Sequence, residues 1–155
     1  MTTSDRFPVI NAPGSTRRAV QLTSGPAFCY PLYYFIPSIT ADGRYLVHHR
    51  SDGEIVQLYR VDLATGEASQ LTRASCPDTQ WHPWDMPAGR GVLDHRSALN
   101  VATGEAIYFD GNEVRAVDVE TLTDRLLFEL AADRVPIGQN CCSPDGRYLF
   151  FIHHD

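Results

Sequence analysis

A five-residue motif that occurs twice constrains this chain more than any other feature. Asp42-Gly43-Arg44-Tyr45-Leu46 returns unchanged as Asp145-Gly146-Arg147-Tyr148-Leu149, 103 residues later. Two weaker echoes divide that interval: 61–65 resembles 117–121, 56 residues later, and 20–23 resembles 69–72, 49 residues later. The period is therefore roughly 50 residues, and the longer interval covers two units. Repeats of about 40 to 50 residues are typical of β-propeller blades.

One unit contains the strands and turns of a four-stranded meander. The sequence predicts strands over 35–40, 44–50, 55–63 and 68–72, separated by Asp-Gly, Ser-Asp-Gly and Thr-Gly-Glu turns. Glycine in such turns tolerates a positive φ, and aspartate accepts hydrogen bonds from its own backbone. Four short strands joined by tight turns form an up-and-down sheet, which is the unit of a propeller.

The fold class predicted from this pattern is all-β, an incomplete β-propeller of about two and a half blades, each blade a four-stranded antiparallel meander. We expect an N-terminal tail over 1–14 and a partial propeller over 15–155. Within the partial propeller, the predicted parts are the outer strand of a closing blade, two blades and the first half of a third, over 15–23, 35–72, 79–130 and 137–155. The predicted inner strand of the second blade covers 91–95.

The predicted number of blades leaves the propeller open. Propellers typically close with about four to eight blades, and each blade buries its faces on its neighbours. We therefore expect the chain to be the first part of a longer protein, with the remaining blades of that protein as its partners. Alone, the chain is expected to have poor stability.

Charge and hydropathy exclude several classes of partner. The net charge is −6 and no run of Lys or Arg occurs, so we expect no nucleic-acid partner and no attraction to anionic lipid. No apolar run approaches the roughly 18 residues of a membrane span, and the first residues lack the apolar core of a signal peptide. A cytoplasmic location is the expectation. The four cysteines form no CxxC pair, so they are predicted to be reduced and structural.

Loops of two classes at one end of the predicted blades carry the candidate binding residues. Loops from an outer strand to the next inner strand are predicted over 24–34, 73–84 and 131–136, and a loop from a second to a third strand over 50–53. They include an aromatic segment over 29–35 and a segment over 81–85 in which two Trp residues flank a His and a Pro. The predicted substrate-binding residues are Tyr34, Arg50, Trp81, His82, His95 and Arg96. Aromatic rings pack on the C–H faces of sugars and Arg pairs with carboxylates, so these residue types suit a sugar acid or another small molecule. The alternative is that the same side chains pack blade against blade.

The histidines do not form a recognisable metal motif. His48-His49 and His153-His154 are neighbours on predicted strands, so within each pair the side chains point to opposite faces of the sheet. No HExxH or HxH pattern occurs, and neither does a GxSxG, P-loop or GxGxxG motif. We expect no metal site, no cofactor and no catalytic residue within these 155 residues.

Several of these segments together resemble the N-terminal blades of oligogalacturonate lyases, which are seven-bladed propellers with TolB-like repeats. The resemblance covers 15–155 and is strongest over 20–72. The segments that carry it are Gln21-Leu22-Thr23, Cys29-Tyr30, Tyr33-Tyr34-Phe35, Asp42-Gly43, Asp52-Gly53, Val61-Asp62-Leu63-Ala64-Thr65-Gly66-Glu67 and Gln70-Leu71-Thr72. The Cys-Tyr and Tyr-Tyr-Phe segments are the more particular part, because Asp-Gly and Thr-Gly-Glu turns occur in many propellers.

The resemblance implies a lyase of pectin degradation that cleaves short unsaturated oligogalacturonides by β-elimination. Such chemistry needs a base to remove a proton and a cation to stabilise charge on the uronate carboxylate. In that family a manganese ion, or another divalent cation, is held by histidines of the later blades, so no catalytic or metal residue is carried over to this chain, which is expected to be inactive alone. The alternative is a non-catalytic propeller that binds a ligand or a protein partner at its central face.

Overall fold

The computed structural model of the protein describes residues 7–11, 13–77, 90–92 and 96–154. These residues form strands and turns and contain no helix, as the sequence predicts. The thirteen strands are β1 (Val9–Asn11), β2 (Arg18–Val20), β3 (Phe28–Pro31), β4 (Tyr45–Ser51), β5 (Ile55–Asp62), β6 (Ala68–Gln70), β7 (Arg90–Gly91), β8 (Ala98–Asn100), β9 (Glu105–Asp110), β10 (Glu113–Asp118), β11 (Asp124–Glu129), β12 (Val135–Cys142) and β13 (Leu149–His154).

The strands form two blades and two hairpins. Strands β3, β4, β5 and β6 pair in that order to form the first blade, with β7 added in parallel beside part of β5. Strands β8, β9, β10 and β11 form the second blade in the same antiparallel manner. The hairpins are β1–β2, which precedes the first blade, and β12–β13, which follows the second. The all-β partial propeller is therefore confirmed.

The repeated turns explain why the strands reverse where they do. The Asp42 carboxylate accepts hydrogen bonds from the Thr40 hydroxyl at 2.6 Å and from the Arg44 N–H at 3.0 Å, and Gly43 has a φ of 70°. In the second copy of the motif, Asp145 accepts the equivalent bonds from Ser143 and Arg147. The aspartate thus satisfies the turn's own donors, which is the property that the sequence pattern indicates.

Another pair of aspartates ends the third strand of each blade. The Asp62 carboxylate accepts from the backbone N–H groups of Ala64 and Thr65, and Asp118 accepts from those of Glu120 and Thr121. Both carboxylates therefore hold the turns that follow their strands.

Apolar cores lie between successive sheets, because alternate residues of each strand face each neighbour. The core between the two blades contains Leu32, Val47, Leu58, Val92, Leu99, Tyr108, Val117 and smaller side chains. Arg60 crosses the same interface and donates hydrogen bonds to the main-chain carbonyls of Val119 and Glu120. The core between the second blade and the β12–β13 hairpin contains Ile107, Phe109, Val114 and Ala116, with Leu149 and Phe151 packed against them.

The strands begin earlier than the sequence predicts in two places. The inner strand of the first blade is β3, rather than the apolar run over 35–40, which supplies only a bridge between Ile39 and Leu46. Pro37 has no N–H to give to a strand ladder, and residues 32–38 form a loop in which the Ile36 N–H closes a turn on the Tyr33 carbonyl. The segment predicted as a tail contains β1, because the β-branched Val9 and Ile10 precede a turn at Gly14, whose φ is 70°. The division of the chain into tail and blades stays a prediction.

The inner strand of the second blade also differs. The sequence favours a strand starting at Gly91, but Gly91 belongs to β7, which pairs with β5 of the first blade. The inner strand is β8, whose three residues are all buried. No helix within the described residues is long and apolar enough to cross a membrane.

Candidate functional site

A pocket lies at the end of the first blade where β4 turns into β5. We call it the Arg50–Arg73 pocket, and its volume is about 490 Å³. Its lining residues come from the segment before β3, from β4, β5 and the turn between them, and from the end of β6 and the loop that follows. They are Pro26, Ala27, Arg50, Asp52, Ile55, Gln57, Tyr59, Gln70 and Arg73. The pocket therefore joins loops of the two classes that the sequence predicts to carry ligand-binding residues.

Arg50 is positioned by its strand and by a neighbouring ring. In the sheet register it stands between Cys29 of β3 and Gln57 of β5. Its guanidinium lies 5.0 Å from the centre of the Tyr59 ring. A cation held over an aromatic face loses little of its charge to the ring, so Arg50 keeps its N–H groups for a ligand.

Arg73 is positioned by a buried amide. Gln57 donates from Nε2 to the Ala74 carbonyl at 2.7 Å, and its Oε1 accepts from the Ala74 N–H at 3.1 Å and from the Thr72 hydroxyl at 2.7 Å. Thr72 and Ala74, the residues on either side of Arg73, are thereby fixed to the centre of the blade. The backbone of Arg73 cannot shift without breaking these bonds.

Tyr59 and Gln70 complete the polar wall. The Tyr59 hydroxyl donates to Gln70 Oε1 at 3.1 Å, and Gln70 donates from Nε2 to the Thr72 carbonyl at 2.7 Å. This places a hydroxyl and an amide beside the two cationic side chains. Such groups can accept and donate hydrogen bonds to the hydroxyls of a sugar.

The electrostatics of the pocket favour an anion. The Asp52 carboxylate accepts hydrogen bonds from the N–H groups of Glu54 and Ile55, and the Ile55 bond, followed by the Glu54 bond, lowers the pKa of Asp52. Its negative charge is held chiefly by its own turn, with a smaller attraction to Arg50. Among the described residues, neither Arg50 nor Arg73 forms an ion pair with a carboxylate. Two guanidiniums beside one cavity suit a carboxylate ligand.

The structure brings only one of the predicted binding residues into this pocket. Arg50 lines it, whereas Tyr34 lies on the 32–38 loop, highly exposed, with its ring against those of Tyr33 and Phe35. Arg96 is buried beside Ser97, and its carbonyl accepts a hydrogen bond from Asn140. The predicted residues Trp81, His82 and His95 lie outside the described residues. The binding role of all six stays a prediction.

Sequence reasoning missed Tyr59, Gln70 and Arg73. Arg73 stands at the start of a loop that the sequence predicts to face a ligand, so its position could have indicated a binding role. Tyr59 and Gln70 look like ordinary strand residues in the sequence. Their shared face becomes visible only from the β5–β6 register, in which they are direct partners.

The paired histidines of β4 are packing residues. His49 is fully buried, stacks on Tyr30 with ring centres 4.9 Å apart, and places Nε2 3.2 Å from the Ser97 hydroxyl. Burial lowers the pKa of His48, whose Nδ1 lies 2.9 Å from the His49 carbonyl. Within the described part of the chain, no three His, Cys, Asp or Glu side chains gather as a metal site would require.

Comparisons with known proteins establish the type of propeller. No protein-family model matches the chain, and no curated protein matches its sequence. Among solved structures, an oligogalacturonate lyase in complex with manganese superimposes with a TM-score of 0.70 and 23% identity, over 90% of this chain and 34% of its own. The oligogalacturonate lyase of Vibrio parahaemolyticus superimposes with a TM-score of 0.73 and 17% identity, over 96% of this chain and 35% of its own.

These likenesses confirm, at the level of fold, the resemblance to oligogalacturonate lyases. The chain spans about a third of the length of the solved structures that it matches. Its two blades and two hairpins are thus a partial propeller of the kind found in those enzymes.

Proposed function

We propose that this chain is part of an oligogalacturonate lyase-like propeller that cleaves short unsaturated oligogalacturonides by β-elimination, and that the Arg50–Arg73 pocket binds a uronate carboxylate. The observation that carries the proposal is the pair of guanidiniums beside a hydroxyl and an amide, on a blade with this fold. Ion pairs of Arg with carboxylates are strong and directional, because the guanidinium can present two parallel N–H groups.

The role proposed for these residues is binding rather than bond cleavage. β-Elimination removes the proton next to the uronate carboxyl, breaks the neighbouring bond to the leaving sugar oxygen and forms a carbon–carbon double bond. A cation on the carboxylate stabilises the charge that develops when the proton leaves. Arg50 and Arg73 would hold a carboxylate and orient the chain of sugars, with Tyr59 and Gln70 on its hydroxyls.

Manganese enters the proposal only through the solved lyase structure that contains it. The described residues do not fit such an ion, since no three suitable side chains gather among them. No step is therefore assigned to a metal on the residues described.

The proposal is tested with the full-length product of the gene that encodes this chain. With manganese and unsaturated digalacturonate present, β-elimination releases two unsaturated monosaccharides, which open and tautomerise to keto forms without the absorbing double bond. We therefore expect the ultraviolet absorbance to fall as turnover proceeds. Arg50→Gln and Arg73→Gln should each raise KM about tenfold, the equivalent of about 1.4 kcal/mol of lost binding. Arg125→Gln is the matched control, because Arg125 pairs with Glu105 on the second blade and should leave KM unchanged.

Two results would contradict the proposal. The first is an absence of turnover by folded protein supplied with manganese. The second is turnover with a KM that neither pocket substitution changes, which would move the binding site elsewhere.

A second candidate function is a propeller that binds a ligand without cleaving it. The exposed rings of Tyr34 and Phe35, 4.0 Å apart between centres, favour it because they offer an aromatic surface to a sugar or a protein. Saturable binding of digalacturonate without turnover, lost in Tyr34→Ala, would select this function.

A further inference from the structure

The aspartate at the β9–β10 turn of the second blade is bonded to a loop of the first blade. Asp110 Oδ1 accepts hydrogen bonds from the N–H groups of Ser75 and Cys76, at 3.1 and 2.8 Å, and these residues lie 35 and 34 positions earlier in the chain. Asp52, at the same turn of the first blade, accepts instead from two N–H groups of its own turn. The Asp-Gly pair at 110–111 therefore does more than close its own hairpin.

The loop that donates these bonds is the one that carries Arg73 to the wall of the Arg50–Arg73 pocket. Strand β6 ends at Gln70, so the N–H groups of the loop need acceptors other than a neighbouring strand. The Ala74 N–H donates to Gln57 Oε1 at 3.1 Å, and the next two N–H groups donate to Asp110. Side chains of two blades thus hold three consecutive N–H groups directly after Arg73.

The same turn packs closely on the loop. Gly111 has a φ of 62°, and a Cβ added there would come 2.8 Å from Cys76 Sγ, so glycine lets the two segments approach. The Cys76 carbonyl accepts a hydrogen bond from the Gly91 N–H at 2.9 Å, and Gly91 pairs with Val56 of β5. The backbone of Cys76 is therefore bonded to the second blade through its N–H and to β7, beside the first blade, through its carbonyl.

Exposure distinguishes the bonds of Asp110 from those of a buried structural group. Ser75 is exposed and Cys76 is half-buried, whereas Ala74 is buried. Water can therefore replace the carboxylate at the first two N–H groups if Asp110 is removed, and the cost to folding is small. What the chain loses is a fixed path for the backbone immediately after Arg73.

We propose that Asp110 is a positioning residue for the Arg50–Arg73 pocket. By holding Ser75 and Cys76, it fixes the backbone that directs the Arg73 guanidinium at a ligand carboxylate, so the two blades build the pocket together. A long side chain held in place before the ligand arrives binds more tightly than one that must be ordered on binding. This inference rests on the proposed function, because it concerns the same uronate ligand.

The first test is calorimetric titration of the full-length protein with digalacturonate. Asp110→Ala should weaken binding about threefold to tenfold, because the loop must then be ordered when the ligand binds. Asp110→Asn keeps an oxygen that can accept both N–H groups, so its affinity should lie within about twofold of that of the wild type. Asp118→Ala is the matched control, since Asp118 also accepts two backbone N–H groups but lies at the opposite end of β10, and it should leave the affinity unchanged.

A double-mutant cycle separates the positioning of Arg73 from a general loosening of the pocket. In an Arg73→Gln background, Asp110→Ala should weaken binding no further, because the guanidinium that Asp110 positions is already gone. In an Arg50→Gln background, Asp110→Ala should weaken binding by the same factor as in the wild type. Arg50 is held by the registers of β4 with β3 and β5, which do not depend on Asp110.

Amide hydrogen exchange tests the contact without any ligand. Exchange at Ser75 and Cys76 should become faster in Asp110→Ala and stay as in the wild type in Asp118→Ala. Unchanged exchange in Asp110→Ala, or a loss of affinity that adds in full to that of Arg73→Gln, would overturn the inference. Binding that depends on Arg73 but not on Asp110 would contradict the inference alone, whereas wild-type protein that binds no digalacturonate would contradict the proposed function.

Discussion

The buried amide of Gln57 is expected to contribute more to stability than any other polar side chain of the first blade. Gln57 is 8% exposed, and its three hydrogen bonds reach Thr72 and Ala74, both of which are buried. Gln57→Met keeps the length of the side chain and removes all three bonds. The Ala74 N–H, the Ala74 carbonyl and the hydroxyl proton of Thr72 then lose their partners where water cannot easily replace them, while Thr72 Oγ1 still accepts from the Leu58 N–H at 2.9 Å.

The expected loss of stability follows from the number of buried polar groups that lose a hydrogen-bond partner. Each buried polar group that loses its partner costs about 1 kcal/mol or somewhat more, so we expect a loss of about 3 kcal/mol in the free energy of unfolding. For a chain of this length that corresponds to a fall of roughly 6 to 12 °C in the melting temperature. Binding at the Arg50–Arg73 pocket should weaken as well, because the same bonds hold the backbone on both sides of Arg73.

The assay is urea unfolding at fixed protein concentration, with Gln70→Met as the matched control. Gln70 also makes two hydrogen bonds, but it is only half-buried, so water can take over its partners and a loss of about 1 kcal/mol or less is expected. Equal losses for the two variants, or a Gln57→Met loss below about 1 kcal/mol, would refute the reasoning.

Three further predictions concern pH, thiol reactivity and the repeated turn. Burial alone would raise the pKa of Asp62, but the N–H groups of Ala64 and Thr65 and the Arg44 guanidinium outweigh burial and bring the pKa below its ordinary value of 3.8. As the pH falls, the unfolded chain therefore takes up the proton at this carboxyl before the folded chain does. The urea midpoint of the wild type should fall as pH drops below about 4, and that of Asp62→Asn should fall less steeply. A pH dependence of the variant equal to that of the wild type would contradict this. Burial raises the pKa of the Cys142 thiol to about 11, whereas Cys141 is exposed. Peptide mapping after iodoacetamide treatment at pH about 8 should therefore find Cys141 modified well before Cys142. The reverse order of modification would contradict the packing of β12. Gly43 and Gly146 share a φ near 70°, but an added Cβ would meet nothing at Gly43 and would come 2.6 Å from the Asn100 amide at Gly146. Gly146→Ala should therefore lower the melting temperature more than Gly43→Ala. Equal effects of the two substitutions would mean that the last hairpin does not pack on the second blade.

Short-range chemistry in the sequence predicted much of the fold. Neighbouring residues determine the Asp-Gly turns, the repeat length and the alternating strands around the turns. The structure forms these features at the positions of the sequence motifs. The sequence did not predict β3 as the inner strand, because the apolar run between Pro31 and Pro37 looks more like a strand than 28–31 does. Which segment pairs with β4 depends on contacts between residues far apart in the sequence. The β7–β5 pairing escaped for the same reason, since nothing local in Arg90-Gly91 indicates a parallel partner.

The candidate site was less predictable than the fold. Arg50 could be proposed from its place beside a turn, but Arg73 gains its significance from Gln57, which lies sixteen positions earlier and bonds to the residues on either side of Arg73 across the sheet. Tyr34 is typical of a sugar-binding residue by type, yet it lies on the 32–38 loop and does not line the pocket. Residue type and loop position therefore indicated one pocket member, and strand register was needed for the others.

The most direct test of the central claim is calorimetric titration of the protein with digalacturonate and with its methyl ester, in which the carboxylates are uncharged. We predict that the acid binds at least about tenfold more tightly than the ester, a preference of about 1.4 kcal/mol. The preference should disappear in Arg50→Gln and Arg73→Gln and persist in Arg125→Gln. Equal affinity for acid and ester, or a preference that survives both pocket substitutions, would contradict a uronate site at Arg50 and Arg73.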